Sequence, residues 1–237
     1  MLHLQKVTKT FPDGQYVKNA LTIDEFKVHN GEVVAVMGPS GSGKTTLALI
    51  AAGVEKATSG AVMLDDVNLT QLTASQRARI RRRQVGMVFQ NDELDPLLTV
   101  IENVALPLQL DGMLGIETKE SAEIALNRCG IADLSNRRRS DLSGGQRQRV
   151  SIARAITGSR QLIVADEPTA SLDTATARSV VELLCEIART GTAILFATHD
   201  ARLAGFADRV VLLRDGRCVD GPEVDITTSR GTPTPWV

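Results

Sequence analysis

The sequence has few cysteines, no excess of charge of either sign and no long apolar run. Its three cysteines, Cys129, Cys185 and Cys218, form no Cys-x-x-Cys pair and have no histidine at metal-ligand spacing. This pattern predicts reduced structural thiols in a cytoplasmic protein and argues against a disulfide framework or a zinc site. The formal net charge of -1 provides no basic field that would attract nucleic acid, so nucleic acid is not an expected partner.

The chain also lacks the apolar segments that membrane insertion or export requires. No stretch approaches the ~20 apolar residues of a membrane span, and the first residues, MLHLQKVTKTF, contain no apolar signal core. If the protein serves a membrane, we expect another chain to supply the spans. What is present is an ordinary globular composition, with 43% hydrophobic and 23% charged residues among 237, which suits one core with at most one subdomain.

Four short apolar runs are rich in Val, Ile and Leu and do not alternate with polar residues. They are the interiors of Glu32–Gly38, Gln161–Asp166, Thr192–His199 and Arg209–Arg214. Such runs are typical of parallel strands buried on both faces. Helical patterns at Thr45–Ala52 and Ala175–Arg189 lie between them, so the order of elements predicts an α/β sheet with right-handed crossovers.

The remaining segments have different patterns. The first ~30 residues and Gly60–Asp66 alternate between apolar and polar residues and predict antiparallel strands at the edge of the sheet. Residues 91–154 carry helical patterns with Gly-rich breaks, which predicts an inserted helical subdomain in a single domain of residues 2–221, whose core is 2–90 and 155–221. Residues 222–237, rich in Pro, Thr and Ser, are expected to be a flexible tail.

A glycine-rich motif follows the first buried run and precedes a helical pattern. It reads G-x-x-x-x-G-K-[ST], and its candidate nucleotide-binding residues are Gly38, Pro39, Ser40, Gly41, Ser42, Gly43, Lys44, Thr45 and Thr46. Glycines let the backbone N–H groups point at phosphate oxygens, and the helix adds its positive end. Lys44 would reach the terminal phosphates of a nucleotide and Thr45 would ligate Mg²⁺. The alternative is a glycine-rich turn without function, which the strand–loop–helix context disfavours.

Two carboxylates end the second buried run. Asp166 suits coordination of the Mg²⁺ held by Thr45, because hard cations prefer oxygen ligands. Glu167 would point in a different direction and is a candidate general base for an attacking water. An adjacent Asp-Glu pair is usually a solvated turn, but here it caps an apolar strand in a chain with a phosphate loop, which favours the functional interpretation.

A second glycine-rich helix start lies at Ser143, Gly144, Gly145 and Gln146, within the sequence LSGGQ. Ser143 is a good helix cap, and the glycines leave N–H groups open to an anion. Because the phosphate loop already surrounds a nucleotide from its own side, we expect this second site to hold the far side of a nucleotide bound by another copy of the chain. Two copies can do this reciprocally about a two-fold axis.

With these motifs the sequence resembles the ATP-binding cassette (ABC) ATPases, whose signature is LSGGQ. The resemblance covers about residues 2–221 and implies a P-loop NTPase (RecA-like) α/β fold, with a mostly parallel sheet, an antiparallel β subdomain and the helical insertion. It also assigns the Q-loop glutamine to Gln90, as a catalytic and metal-binding residue, the D-loop to Ser171–Asp173 with Asp173 at the nucleotide, and the switch histidine to His199. Phe11 matches the aromatic that stacks on adenine, with Tyr16 as the alternative.

The resemblance implies an ATP- and Mg²⁺-dependent ATPase. Glu167, His199, Lys44 and Gln90 are its expected catalytic residues. Its expected partners are a second copy, in a head-to-tail dimer that sandwiches ATP, and permease subunits of another chain, which would hold it on the cytoplasmic face of the membrane. The strand end Val-Ala-Asp-Glu-Pro-Thr and the sequence Thr99–Leu108 resemble the LolD/MacB branch of export and extrusion systems.

Two alternatives of other classes stay open at this point. One is an ABC ATPase that signals through a membrane partner without transport, as in cell-division regulation. The other is an ABC protein of DNA repair, translation or iron–sulfur assembly, which the single cassette disfavours. The segment Asn91–Leu97 departs from the common pattern after the Q-loop, and the basic stretches Arg77–Arg83 and Arg137–Arg139 are expected to be mainly solvated faces, with lipid or permease contact as the alternative.

Overall fold

A computed structural model of the chain describes residues 1–14 and 16–219. The predicted tail 222–237 and the last two residues of the predicted domain lie outside the described residues. In the described residues, no helix combines the length and apolar character needed to cross a membrane.

The described residues form ten strands and seven α-helices. The strands are β1 (Leu2–Asp13), β2 (Tyr16–Val28), β3 (Val33–Met37), β4 (Ser59–Leu64), β5 (Val67–Asn68), β6 (Val85–Val88), β7 (Leu162–Asp166), β8 (Ala193–Thr198), β9 (Arg209–Arg214) and β10 (Arg217–Val219). The helices are α1 (Lys44–Ala51), α2 (Ala74–Gln84), α3 (Val100–Leu110), α4 (Ile116–Arg128), α5 (Gly144–Ile156), α6 (Thr174–Ala188) and α7 (Ala201–Ala204). The predicted α/β fold is confirmed.

The central sheet has six strands in the order β10-β9-β3-β8-β7-β6. β6, β7, β8, β3 and β9 are parallel, and β10 pairs antiparallel with β9. All six residues of β8 are buried, as expected of a strand covered on both faces. Because parallel strands end at one edge, the segments that follow β3, β6, β7 and β8 meet there. The expectation of full burial is wrong for β9, where Leu212 is exposed and Val210 and Val211 are half-buried, because one face of this strand is incompletely covered.

The alternating segments form a sheet of their own, in the order β2-β1-β4-β5. The antiparallel pairing is as predicted, but the position at the edge of the main sheet is not. The alternation leaves one apolar face, with Leu2, Leu4 and Leu21, that must be buried. It packs in one core with Val34 and Val164 of the central sheet and with Leu47 and Ile50 of α1, so the second sheet shares a core with the central sheet and does not extend its edge.

Helices α3, α4 and α5 pack together and share a second core that contains Val104, Leu126 and Val150. Helix α5 also lies directly on the edge strand β6, where a Cβ at Gly86 would collide with the backbone oxygen of Ala155. This close approach positions the start of α5 relative to the central sheet. The boundaries 91 and 154 of a helical subdomain stay a prediction.

In the basic stretches, Arg77, Arg81 and Arg82 are half-buried, whereas Arg79, Arg83 and Arg137–Arg139 are exposed. In α2, Arg77 Nε and Arg81 Nη1 each donate to the backbone oxygen of Gly53, at 3.2 Å. These two hydrogen bonds tie α2 to the turn that follows α1. Arg83 Nε lies 2.6 Å from Asp111 Oδ2. Arg139 is also paired, as described below. The solvated-face interpretation is wrong for Arg77 and Arg81, whose guanidinium groups bind Gly53. It holds for Arg83 and Arg139, which are exposed although each pairs with a carboxylate.

Candidate active site

The phosphate loop lies between β3 and α1 and is shaped by close backbone packing. A Cβ at Gly38 would collide with the backbone oxygen of Leu213 in β9. Gly43 has φ 103°, and a Cβ there would lie 2.8 Å from the backbone oxygen of Ala20. Glycine is therefore required at both ends of the loop for steric reasons. At Gly41, with φ 80°, the space for a Cβ is open, so the middle of the loop faces outward.

Lys44, the first residue of α1, lies folded against this loop. Its side chain is 9% exposed, and Nζ donates to the backbone oxygens of Gly38, at 2.7 Å, and Pro39, at 3.2 Å. The same Nζ lies 3.7 Å from Glu167 Oε1. Of the other predicted loop residues, Ser42 is buried, Thr46 is half-buried, and Pro39, Ser40, Gly41 and Thr45 are exposed. The Lys44 ammonium and the backbone of the loop therefore lie on the same side of this segment.

Asp166 is the last residue of β7 and lies next to the loop. The pKa of its carboxyl is raised, mainly by burial and also by the neighbouring Glu167 charge. The Thr45 hydroxyl and the Lys44 ammonium lower the pKa but do not outweigh these two effects. Its Oδ1 is buried and has no hydrogen-bond partner among the described residues. A buried carboxylate oxygen without a partner is costly, and a cation beside it would remove that cost.

Glu167 and His199 follow the neighbouring parallel strands β7 and β8. Glu167 adopts a left-handed backbone with φ 49°, which is unusual for a residue with a side chain and occurs most often at functional sites. Its N–H donates to the backbone oxygen of Ala197 at 3.1 Å. His199 Nδ1 lies 2.9 Å from Glu167 Oε2. An ionised carboxylate only accepts hydrogen bonds, so Nδ1 is the donor.

Gln90 lies two residues beyond β6, at the same carboxyl edge of the sheet, and is exposed. Phe11 lies on β1 opposite Lys18 of β2. Lys18 precedes Ala20 by two residues, and the backbone of Ala20 contacts the loop at Gly43. The Phe11 ring is 38% exposed and lies beneath Lys9, whose Nζ is 4.6 Å from the ring centroid. Tyr16, the alternative aromatic, is 80% exposed.

Ser143 caps α5 in the predicted way. Its Oγ accepts from the Gln146 N–H at 3.3 Å, and its own N–H donates to Gln146 Oε1 at 2.8 Å. A Cβ at Gly145 would collide with the Thr176 methyl group. Asp173 caps α6 by accepting from the N–H of Thr176 at 3.0 Å and its hydroxyl at 2.6 Å, and the Thr176 hydroxyl in particular lowers the pKa of Asp173.

These two helix starts border a cleft of about 450 Å³. Its lining residues are Ser143, Gly144, Gly145, Gln146, Arg149, Ser171, Leu172, Asp173, Thr176 and Ser179. Among the described residues, none of this lining comes from the phosphate loop. The structure thus groups most of the predicted site residues in two places, the sheet edge around Lys44 and this cleft, whereas Phe11 lies on the other sheet.

Three residues of the cleft were not predicted from the sequence, Arg149, Thr176 and Ser179. Thr176 lies three residues after Asp173, the spacing at which a cap receives its hydrogen bonds, so the cap pattern could have identified it. Arg149 follows Ser143 by six residues and belongs to the same helix. Its place in the cleft depends on how α5 packs, and no local pattern indicates it.

The chain is similar to known proteins of one family. A family profile described as ABC transporter matches residues 21–170. The lipoprotein-releasing system ATP-binding protein LolD of Shewanella denitrificans is 41% identical over 91% of this chain and 93% of its own length. The macrolide export ATP-binding/permease protein MacB of Burkholderia pseudomallei is 38% identical over 92% of this chain, which spans 34% of that protein.

A solved structure is similar over nearly the whole length of both chains. It is the dimeric post-hydrolysis state of the ATP-binding cassette MJ0796 of Methanocaldococcus jannaschii, bound to ADP and Pi. The TM-score is 0.86 and the identity 37%, with 94% of this chain and 99% of that chain covered.

Proposed function

The chain belongs to the ATP-binding subunits of ABC transporters, in the LolD/MacB-like branch, and on this premise we propose that it hydrolyses ATP at the edge of the central sheet to drive a membrane permease. The observation that carries the proposal is the position of Glu167, which lies 2.9 Å from His199 Nδ1 and 3.7 Å from Lys44 Nζ. A base, the residue that orients it and a phosphate-binding cation therefore share one site.

The residues of the chain supply most of the chemistry. The N–H groups of the loop and the Lys44 ammonium bind the terminal phosphates and stabilise the negative charge of the transition state. Glu167 accepts a proton from the attacking water, or orients that water. The hydrogen bond from His199 fixes the direction of the Glu167 carboxylate, and the partly exposed imidazole is available to the γ-phosphate.

Mg²⁺ fits the oxygen atoms at this site. Asp166 and Thr45 would hold it together with Gln90, and the buried, unpartnered Oδ1 of Asp166 is the kind of ligand that a hard cation prefers. When bound, Mg²⁺ neutralises charge on the phosphate oxygens of the nucleotide. We propose that Phe11 stacks on the adenine base. Its partner across the β1–β2 pair is Lys18, and Ala20, two residues further along β2, contacts Gly43 of the loop.

We further propose that two copies of the chain close on two ATP molecules. Ser143, Gly144, Gly145 and Gln146 of each copy hold the phosphate that the other copy binds at its loop, and Asp173 borders the same interface. The separation of the cleft from the loop supports this arrangement, and the similar cassette MJ0796 is a dimer. Closing excludes water from the site, and loss of the γ-phosphate lets the copies part.

The permease is another chain, and the subunit lies on the cytoplasmic face of the membrane through it. The relatives named for lipoprotein release and macrolide export favour an export or extrusion system. They do not favour the alternative of a signalling ATPase without transport.

A phosphate-release assay tests the proposal. The wild-type chain should hydrolyse ATP with Mg²⁺ and lose that activity with EDTA. Glu167→Gln should retain ATP binding but slow hydrolysis roughly 10²- to 10⁴-fold, the usual contribution of a general base. Glu182→Gln is a matched control, because within residues 1–14 and 16–219 the Glu182 carboxylate has one ion pair, with Arg178 one turn earlier in α6. Turnover of the Glu167 variant within threefold of the control would contradict the proposed role.

A further inference from the structure

Asp92 is a buried carboxylate two residues beyond Gln90, and its side chain is 9% exposed. Its oxygens receive bonds from two arginines. Arg139 Nε lies 2.7 Å from Oδ1 and Arg139 Nη2 lies 3.2 Å from Oδ2. Arg147 Nε lies 3.0 Å from Oδ2, and the Leu94 N–H donates to Oδ1 at 3.2 Å.

The two arginines lie on either side of the LSGGQ sequence. Arg139 precedes Ser143 by four residues, and Arg147 follows it by four, in the first turn of α5. Arg147 Nη1 also donates to the backbone oxygen of Leu142 at 2.7 Å. One carboxylate therefore fixes both the approach to α5 and its first turn.

The backbone around Asp92 is bound to the same helix. Arg154 Nη2 donates to the backbone oxygen of Asp92 at 2.9 Å, and its Nη1 donates to that of Glu93 at 2.6 Å. Gln148 Nε2 donates to the backbone oxygen of Phe89 at 3.4 Å. Strand β6 ends at Val88, so from residue 89 the chain leaves the sheet and is held by α5.

The ion pairs keep Asp92 charged. Burial disfavours its carboxylate, but Arg139, the Leu94 N–H and Arg147 together outweigh burial, and the pKa of Asp92 is lowered. Hydrogen bonds between charged groups with two-point geometry are stronger and more directional than neutral ones. Directional, charge-assisted bonds therefore link the segment after β6 to α5.

We propose that Asp92 is a positioning residue that couples the Gln90 segment to the start of α5, so that the nucleotide held at the loop of one copy controls the surface that closes on the nucleotide of the other. The inference rests on the proposed function, since it assigns Gln90 to one nucleotide and Ser143 to the other. Energetically, Asp92 supplies a coupling between two sites of one chain.

The test compares Asp92→Asn with Glu93→Gln. Both substitutions exchange a carboxylate for an amide in adjacent residues, but the Glu93 carboxylate makes none of the bonds described above. We expect Asp92→Asn to lower kcat for ATP about tenfold, within the usual range of coupling between sites, with KM for ATP and nucleotide affinity of the isolated subunit within twofold of wild type. In the Glu167→Gln background, it should lower the fraction of ATP-induced dimer on a sizing column.

Arg139→Gln tests the same link from the exposed end, in case Asp92→Asn does not fold. It should reproduce the loss of kcat and dimer, and the double variant Asp92→Asn/Arg139→Gln should lose no more than either single variant. The inference is overturned if Asp92→Asn and Arg139→Gln both match Glu93→Gln. It is also overturned if nucleotide affinity and melting temperature fall in parallel with kcat, which a merely structural role would produce. Absence of ATP hydrolysis by the wild-type chain would instead contradict the proposed function.

Discussion

At the phosphate loop, the glycines matter because they lack a Cβ, which lets the loop backbone pack closely against neighbouring strands. Gly38 lies where the loop crosses the end of β9, and Lys44 then turns back to the oxygens of Gly38 and Pro39. The loop can bind phosphate only if its backbone keeps this path. Glu167, with its left-handed backbone and its bond from His199, depends on equally local constraints.

Gly38→Ala should disrupt nucleotide binding, because the added methyl group would collide with the backbone oxygen of Leu213 and overpacking costs about 1–3 kcal/mol. We expect a fall in melting temperature and at least a tenfold loss of affinity for a fluorescent ATP analogue. Gly112→Ala is the control for backbone strain, since Gly112 also has a positive φ, 90°, but an added Cβ would meet no atom within 4 Å. Equal affinities of the two variants would disprove the steric argument.

Among the elements, α3 shows how a helix fixes the loop before it. Asn103 is 1% exposed. Its Oδ1 accepts from the Asp95 N–H at 2.8 Å, and its Nδ2 donates to the backbone oxygens of Asp95, Leu98 and Thr99 at 3.0–3.3 Å. The side chain thereby satisfies the polar backbone of the loop that leads from the Gln90 segment into α3.

Asn103→Leu keeps a similar volume but leaves these buried groups without partners. We expect a loss of roughly 1–3 kcal/mol in the free energy of unfolding, the cost of unsatisfied buried polar groups. Urea unfolding followed by circular dichroism would measure it. Gln109→Leu on the exposed end of the same helix is the control. If the two variants unfold at the same urea concentration, Asn103 does not stabilise the loop in this way.

At the scale of the whole molecule, the two glycine-rich helix starts lie in separate places, the loop at α1 and the cleft at α5. The lining of the cleft is supplied by α5, α6 and the turn before α6. A second copy is the partner that can bring a loop to this cleft. This arrangement makes dimerisation dependent on residues that do not touch the chain's own nucleotide.

Ser143→Arg should block ATP-induced dimerisation, because a long side chain would fill the shared phosphate site, while ATP binding to the isolated subunit is kept. The variant also loses a helix cap, which costs about 1 kcal/mol. Thr73→Arg is the matched control, since Thr73 caps α2 with the same Ser/Thr–Gln capping box. A dimer fraction equal to that of the control on a sizing column would count against the shared site.

Much of the fold was predictable because its signals are local. The runs that became β3, β7 and β8 have the length and composition of buried parallel strands, and the glycines of the loop and the cap at Ser143 have sequence signatures of their own. The proposed roles of Gln90, His199 and Phe11 came from resemblance to a family. A single Gln, His or Phe carries no signal of function by itself.

The sequence by itself determined the types of element, the phosphate-binding loop and the capped start of α5, because backbone sterics and hydrogen bonding within a few residues define them. Only the tertiary structure decided that β1, β2, β4 and β5 form a separate sheet, that Arg139 reaches Asp92, and that Thr176 meets Gly145. These contacts join residues far apart in the chain, where the packing of two cores sets the distance and no local pattern records it.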